Sequence, residues 1–399
     1  MAAVRRSMRC VVPIAALGLA ASLGTSCGGH PSSAPSSHPS ARSSSGLDPS
    51  TTRTSTATEA CSPTAVLASW SLSRRAAQLV VVPAQETDVS EVQSSVQLGA
   101  GGVILFGSSA PSDLKEQLAA VESEAPGGID PLVMSDEEGG EVQRLANLVG
   151  NLPWPAVMRQ TLTPSQVRQL AQQTASRMLA NGVTMDLAPD LDLATGPGPD
   201  AIHTDGPRSF SPVASVATAY GLAFAEGLEA GGVIPVVKHF PGEGSDSANT
   251  DDAPATSPPI AQLRDADLLP FSAAVEAGLP AVMVGNATVP GLSTGPASLS
   301  SPVVTGLLRG QMGFRGVVMT DSLSAVAVSS RGLSIAQAAV EAVEAGADMV
   351  LFTSDSPNMT TSQVVDAIVA AVQGGSISQQ DLDASVTRIL ALKKVDLCK

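Results

Sequence analysis

Eight short apolar runs recur along the chain at the spacing of a repeated strand-and-helix unit: Gln78–Val82, Gly102–Phe106, Leu132–Ser135, Val183–Leu187, Val233–Val237, Ala281–Val284, Gly316–Thr320 and Asp348–Phe352. Between most of them lie amphipathic stretches of helical length, such as Ser112–Glu124, Pro164–Ala180, Val213–Ala230, Asp267–Ala277 and Ser334–Ala345. Apolar runs this short read as strands buried on both faces, and helices tend to stop near Gly or Asn as these stretches do. Eight alternations over roughly 340 residues predict α/β class and one (β/α)8 TIM barrel, spanning residues 61–399 as a single catalytic domain. A doubly wound open sheet is the alternative, and it would be expected to carry a phosphate loop near its first strand. Neither G-x-G-x-x-G nor G-x-x-x-x-G-K-[ST] occurs, and Gly99-Ala100-Gly101-Gly102 precedes its strand instead of following it.

The start of the chain speaks to compartment. Arg5, Arg6 and Arg9 precede an apolar segment from Val11 to Leu23, too short to span a bilayer and laid out as a secretory signal over residues 1–26. Cys27 follows Leu23-Gly24-Thr25-Ser26 in the manner of a bacterial lipoprotein cleavage site, with Leu one place further from Cys than that pattern prefers. Lipidation at Cys27 and plain cleavage with free secretion are the two readings, and both place the protein outside the cytoplasm. Residues 27–60 are mostly Ser, Thr, Pro, Gly and Ala with hardly an apolar side chain, so a disordered tether is expected there.

The formal net charge is −15, and loss of three arginines with the signal takes the remainder to −18. Such a body is repelled by nucleic acid and by anionic head groups, leaving a lipid on Cys27 as the one expected membrane contact. Cys10 leaves with the signal, so Cys61 and Cys398 remain at the two ends of the body. In an oxidising compartment one disulfide between them is expected, the alternative being two free thiols. A monomer is expected.

In a barrel of this kind chemistry lies on the loops that follow the strands. The third run is followed by Asp136, with Arg144 beyond a Gly-Gly turn; the fourth by Asp190 and Asp192, a long Gly/Pro loop, and Arg208. At the exit of the fifth stand Lys238 and His239, then a Gly/Ser-rich acidic loop holding Glu243 and Asp251; the seventh is followed by Asp321. Such carboxylates, Arg and Lys suit a hydroxyl-rich ligand. Read singly, an Asp at a strand end is a helix cap as readily as a nucleophile, and the acidic loop a solvated turn as readily as a lid. Only His203 and His239 remain in the body and neither begins a ligand-spaced pair, so no metal and no cofactor is expected.

Five motifs carry a family resemblance: Asp136-x-Glu138-Gly139-Gly140-x-Val142-Gln143-Arg144, Leu187-Ala188-Pro189-x-Leu191-Asp192, Arg208-Ser209-Phe210, Lys238-His239-Phe240-Pro241-Gly242, and Gly313-Phe314-x-Gly316-Val317-Val318-x-Thr320-Asp321-Ser322-Leu323-Ser324. The chain resembles the single-domain bacterial β-N-acetylhexosaminidases of glycoside hydrolase family three, including actinobacterial lipoprotein members. The resemblance implies a retaining glycosidase acting on N-acetylglucosaminides of the cell wall or related glycosides, with Asp321 as nucleophile. It also implies that Asp136, Arg144, Arg208, Lys238 and His239 bind the sugar ring.

The same comparison exposes departures. Where the family carries His-Gly and later Asp-Ser-His, whose last His is the acid/base, this chain has Glu243, Asn249, Thr250 and Asp251. Glu141 stands for an Arg and Asn286 for a His. Asp251 is then the expected proton donor, Glu243 the second choice and His203 the third; Lys238 and His239 are expected to bind and not to transfer protons. The alternative is a catalytically impaired sugar-binding protein of the envelope.

Overall fold

The structure, a computed structural model, describes residues 62–398. Residues 1–61, with the expected signal, tether, Cys27 and Cys61, lie outside the described residues; Cys398, within them, is disulfide-bonded.

Eight parallel strands make the central sheet: β1 (Val80–Gln85), β2 (Gly102–Phe106), β3 (Leu132–Ser135), β4 (Met185–Asp186), β5 (Ile234–Phe240), β6 (Ala281–Val284), β7 (Val317–Thr320) and β8 (Val350–Leu351). They are ordered as they occur in the chain, with Val80 of β1 opposite Val350 of β8. The two ends of the sheet meet at a parallel bridge between Met319 and Met349, where Thr320 N–H donates to the Met349 carbonyl at 3.0 Å. The expected (β/α)8 barrel is therefore the fold.

Alternation along the strands sorts side chains into two layers, because successive residues of a strand point to opposite faces. Ile104, Met134, Met185, Met283, Met319 and Met349 share one buried cluster. Their neighbours Val103, Leu105 and Val133 join a second cluster with Leu114, Leu118 and Val121 of the helix Leu114–Glu122. Unbranched methionine adapts to the irregular taper of a small barrel interior, which is filled and is no pore.

The helix Pro164–Ala180 begins as expected, with a capping box in which Thr163 and Gln166 satisfy each other's free amides. It packs closely on Ala214–Ala230: a Cβ at Gly227 would stand 2.3 Å from the Arg168 carbonyl, so only glycine permits this approach. After β8 come Pro357–Gly374 and Gln379–Leu392.

Several expected boundaries shift: the fourth and eighth strands shorten to Met185–Asp186 and Val350–Leu351 and the seventh begins at Val317, and two further shifts have a readable cause. The first strand begins at Val80 and not at Gln78, because Gln78 ends the helix Leu72–Ala77 and its amide donates to the Gly99 carbonyl at 2.7 Å. β5 runs on to Phe240, so Lys238 and His239 belong to the strand itself and not to the loop beyond it. Among the described residues no helix is long and apolar enough to cross a membrane.

The seam between β7 and β8 is locked by fully buried Asp348. Its carboxylate accepts from Arg309 at 2.6 Å, from Arg388 of the last helix at 2.8 and 2.9 Å, and from the Val318 amide at 2.9 Å. Removing a charged partner from such a buried cluster strands the rest. Asp348→Ala is expected to destabilise by about 3–5 kcal/mol in urea unfolding, whereas Arg331→Ala, at an exposed pair with Glu341, is expected to change stability by less than about 1 kcal/mol.

Candidate functional site

At the carboxyl ends of the strands lies a cavity of about 460 Å³ floored by Ile104, Leu187, Met283 and Leu351. Asp136, Arg144, Arg208, Lys238, His239, Glu243, Asp251 and Asp321 all line it. The chain folds that way locally for identifiable reasons. After β3 the hairpin Glu137–Gly139 and Val142–Gln143 turns through Gly139 and Gly140, whose φ angles are +113° and +60°. A Cβ at Gly140 would lie 1.9 Å from the Trp154 ring, so the turn requires glycine. The hairpin returns Arg144 to Asp136, with Arg144 Nη2 3.6 Å from Asp136 Oδ2.

Glu138 occupies the middle of the site. It is buried, and it accepts a two-pronged bond from Arg208, Nε and Nη2 each at 2.8 Å. Lys238 Nζ lies 2.7 Å from Glu138 Oε1 and 2.7 Å from Asp136 Oδ1. Burial pulls the Glu138 carboxyl up, but Arg208 and Lys238 outweigh it and hold the group far below the ordinary carboxylate range. Lys238 is thus a permanent cation engaged with two acids before any ligand arrives. Asp190 is brought beside it by a parallel bridge, in which the Leu191 amide donates to the Lys238 carbonyl at 2.7 Å.

His239 is buried, with Nδ1 2.7 Å from Asp192 Oδ2 and Nε2 3.4 Å from Arg208 Nη2. Burial, helped by Arg208 and Lys238, pushes its pKa down to about 4, so the ring is neutral at physiological pH. A neutral imidazole flanked by a carboxylate and a guanidinium can hydrogen-bond a ligand and is unsuited to act as a general acid at neutral pH.

Asp321, at the end of β7, accepts from the Ser322 amide at 2.6 Å. Burial raises its pKa; His239 and Lys238 oppose that and the Asp251 charge adds to it. Asp251 stands at the rim on the loop after β5, solvent-exposed yet lining the cavity. The Asn249 amide donates to the Ala201 carbonyl at 3.2 Å and the Ala327 amide to the Thr250 carbonyl at 3.0 Å, so the loop is tied to its neighbours on both sides. Partial burial and adjacent Asp252 raise the Asp251 pKa.

The other two acid candidates are placed differently. Glu243 is built into the wall: its Oε1 accepts from the Asn286 and Ala287 amides at 2.8 and 3.3 Å, and a Cβ on Gly285 would come within 1.9 Å of that oxygen. His203 does not line the cavity; its Nδ1 lies 3.1 Å from each Asp200 oxygen in an exposed turn.

Sequence reasoning gave Glu138 no role, although it stands inside a quoted motif, and it missed Asp205, three residues before Arg208 in a loop without periodicity. Asp190, Asp192, Asp205 and His239 form the one cluster among the described residues whose ligand atoms, one per residue, lie within 4.8 Å of one another. A search for spaced histidines could not see it.

Known proteins resemble this chain along most of its length. A family profile described as the glycosyl hydrolase family 3 N terminal domain matches residues 71–392. The chain is 35% identical to beta-hexosaminidase LpqI of Mycobacterium tuberculosis over 390 residues, covering 95% of this chain and 96% of that one. The solved structure of M. tuberculosis LpqI superposes with a TM-score of 0.76 at 34% identity, over 84% of this chain and 97% of the other. A beta-N-acetylhexosaminidase from Beutenbergia cavernae gives 0.74 at 33% identity, over 82% and 99%.

The central ion pairs have a stability consequence that carries a sign. Because the folded-state pKa of Glu138 is depressed, its contribution is complete above the unfolded value of about 4.3 and is lost only as pH falls through the lower folded value. Glu138→Gln is therefore expected to cost about 3–5 kcal/mol in urea unfolding, unchanged between neutral pH and pH ~5 and shrinking in stronger acid. Glu141→Gln, on the exposed side of the same hairpin, is expected to behave like the parent.

Proposed function

The chain belongs to glycosyl hydrolase family 3, and from that premise we propose that it is a β-N-acetylhexosaminidase-like glycosidase that removes β-linked N-acetylglucosamine with retention of configuration. The observation that carries the reading is the convergence of five loops on one cavity, with Asp321 on the floor side and Asp251 at the rim. Asp321 attacks the anomeric carbon through an oxocarbenium-like transition state while Asp251 protonates the departing oxygen. Asp251, then ionised, takes a proton from the water that releases the sugar. Asp136, Arg144, Arg208, Lys238 and His239 hold the ring hydroxyls and the acetamido group, their geometry fixed beforehand by the Glu138 and Asp192 bonds.

A short carboxylic acid replaces the usual imidazole as proton donor, and this sets the pH response. The productive form has Asp321 ionised and Asp251 protonated. A rising pH empties Asp251 of its proton, so activity falls on the alkaline side, delayed by the upward shift of the Asp251 pKa. Substrates are terminal N-acetylglucosaminides of cell-wall fragments or related glycosides. Export by residues 1–26 and anchoring at Cys27 would set the body at the cell envelope, which a mass of the mature amino terminus with or without diacylglycerol decides.

Turnover of an aryl N-acetylglucosaminide by the purified body is expected, with an optimum below neutral pH, and Asp321→Asn is expected to abolish it. Asp251→Asn should lower the rate on a poor alkyl leaving group by about 10²–10⁴-fold, flatten the alkaline limb and spare release of dinitrophenolate. Equal effects on both leaving groups would remove Asp251 from the role. Calorimetric sugar binding without any turnover would favour the envelope sugar-binding reading.

A further inference from the structure

We propose that Asp190, Asp192 and Asp205 bind one hard divalent cation, of the calcium or magnesium type, beside the sugar site. The motive is an imbalance of buried oxygen atoms. Asp190 and Asp205 are each only 1% exposed, yet Asp190 Oδ2 and both carboxylate oxygens of Asp205 have no hydrogen-bond partner. Buried carboxylates are paired, hydrogen-bonded or coordinated to a metal, and an orphaned pair facing one another asks for an occupant between them.

Arg208 does not fill that need. Its Nε and Nη2 are committed to Glu138 and its Nη1 donates to the Thr204 carbonyl at 3.2 Å. The Asp190 and Asp205 oxygens lie 3.8 and 3.6 Å from the guanidinium, within ionic reach but beyond a hydrogen bond. Counted over the centre of the site, the carboxylates Asp136, Glu138, Asp190, Asp192 and Asp205 face the cations Arg144, Lys238 and Arg208. A divalent cation would offset the mutual repulsion of Asp190, Asp192 and Asp205, whose ligand atoms lie within 4.8 Å of one another.

The third ligand is already oriented. Asp192 accepts from the His239 amide at 3.0 Å and the Glu243 amide at 2.8 Å, and Asp190 Oδ1 accepts from the Asp192 amide at 2.7 Å, so this pair of carboxylates is set by backbone bonds. His239 belongs to the same cluster, but its Nδ1 faces Asp192, which leaves an all-oxygen set from the carboxylates. Oxygen donors select hard cations over zinc or copper, with waters completing the shell. The expectation of no metal from the sequence rested on histidine spacing and did not consider carboxylates that the chain brings together across a long loop. A cation here would fasten that loop, which carries Asp205, to the exit of β4 and would steady Arg208 from behind, independently of whether the site hydrolyses a glycoside.

The test needs no substrate. The purified chain, stripped with EDTA, is titrated calorimetrically with CaCl2 and with MgCl2, and its melting is followed in parallel. One equivalent of cation is expected to bind and to raise the melting temperature by about 3–6 °C at a hundred-fold excess over the dissociation constant. Asp205→Asn and Asp190→Asn, each shown to be folded by circular dichroism, are expected to lose both effects; should one fail to fold, the other decides. No binding of either cation to the wild type, or the same binding in a folded variant, overturns the proposal. Variants that melt higher than the wild type while the wild type ignores both cations would show that the carboxyls share protons instead, which also overturns it.

Discussion

The site depends on one buried carboxylate. Glu138 receives Arg208 from the loop after β4 and Lys238 from within β5 while its own backbone belongs to the hairpin after β3, so two loops and a strand are tied at a single point. Without it two cations would face each other in a buried pocket. With it they become a rigid frame on which sugar hydroxyls can be bound with little further ordering, which is what preorganisation contributes to catalysis. The same frame explains why Lys238, although a flexible side chain by nature, is a fixed element here.

The remainder of the site follows from how acids are distributed around that frame. Asp136 and Glu138, held by Lys238 together with Arg144 or Arg208, have their pKa values lowered, whereas Glu243 and Asp246 have theirs raised by burial and by neighbouring carboxylates, Asp246 to about 9. Asp321 and Asp251 lie between these extremes, each raised, and the Asp251 charge adds to the rise at Asp321. Two acids in environments that differ this way can take different protonation states, the arrangement in which one could attack while the other donates.

Much of this was legible in the sequence, for reasons that can be named. The apolar runs report strands because burial on both faces leaves no alternative composition, and the Gly139-Gly140 pair reports a turn because no other residue fits beneath Trp154. Eight of the candidate residues fell on one cavity because strand ends converge in a barrel. Boundaries were less legible: Gln78 looks apolar-adjacent but caps a helix, and Lys238 looks like a loop residue but is held in β5 by its bonds to the segment after β4. Least legible were contacts across long loops. Nothing in the order of residues brings Asp205 to Asp190, and His203, the third donor candidate, turned out to be paired with Asp200 away from the cavity wall.

The account stands most directly on Asp321 forming a bond to the sugar, and the stereochemistry of the product reports it. Hydrolysis of an aryl β-N-acetylglucosaminide by the purified body, followed from its first minutes by proton nuclear magnetic resonance of the anomeric signal, is expected to release the β-anomer first, with the α-anomer growing in only by mutarotation. First appearance of the α-anomer would mean a single displacement by water and would contradict the account.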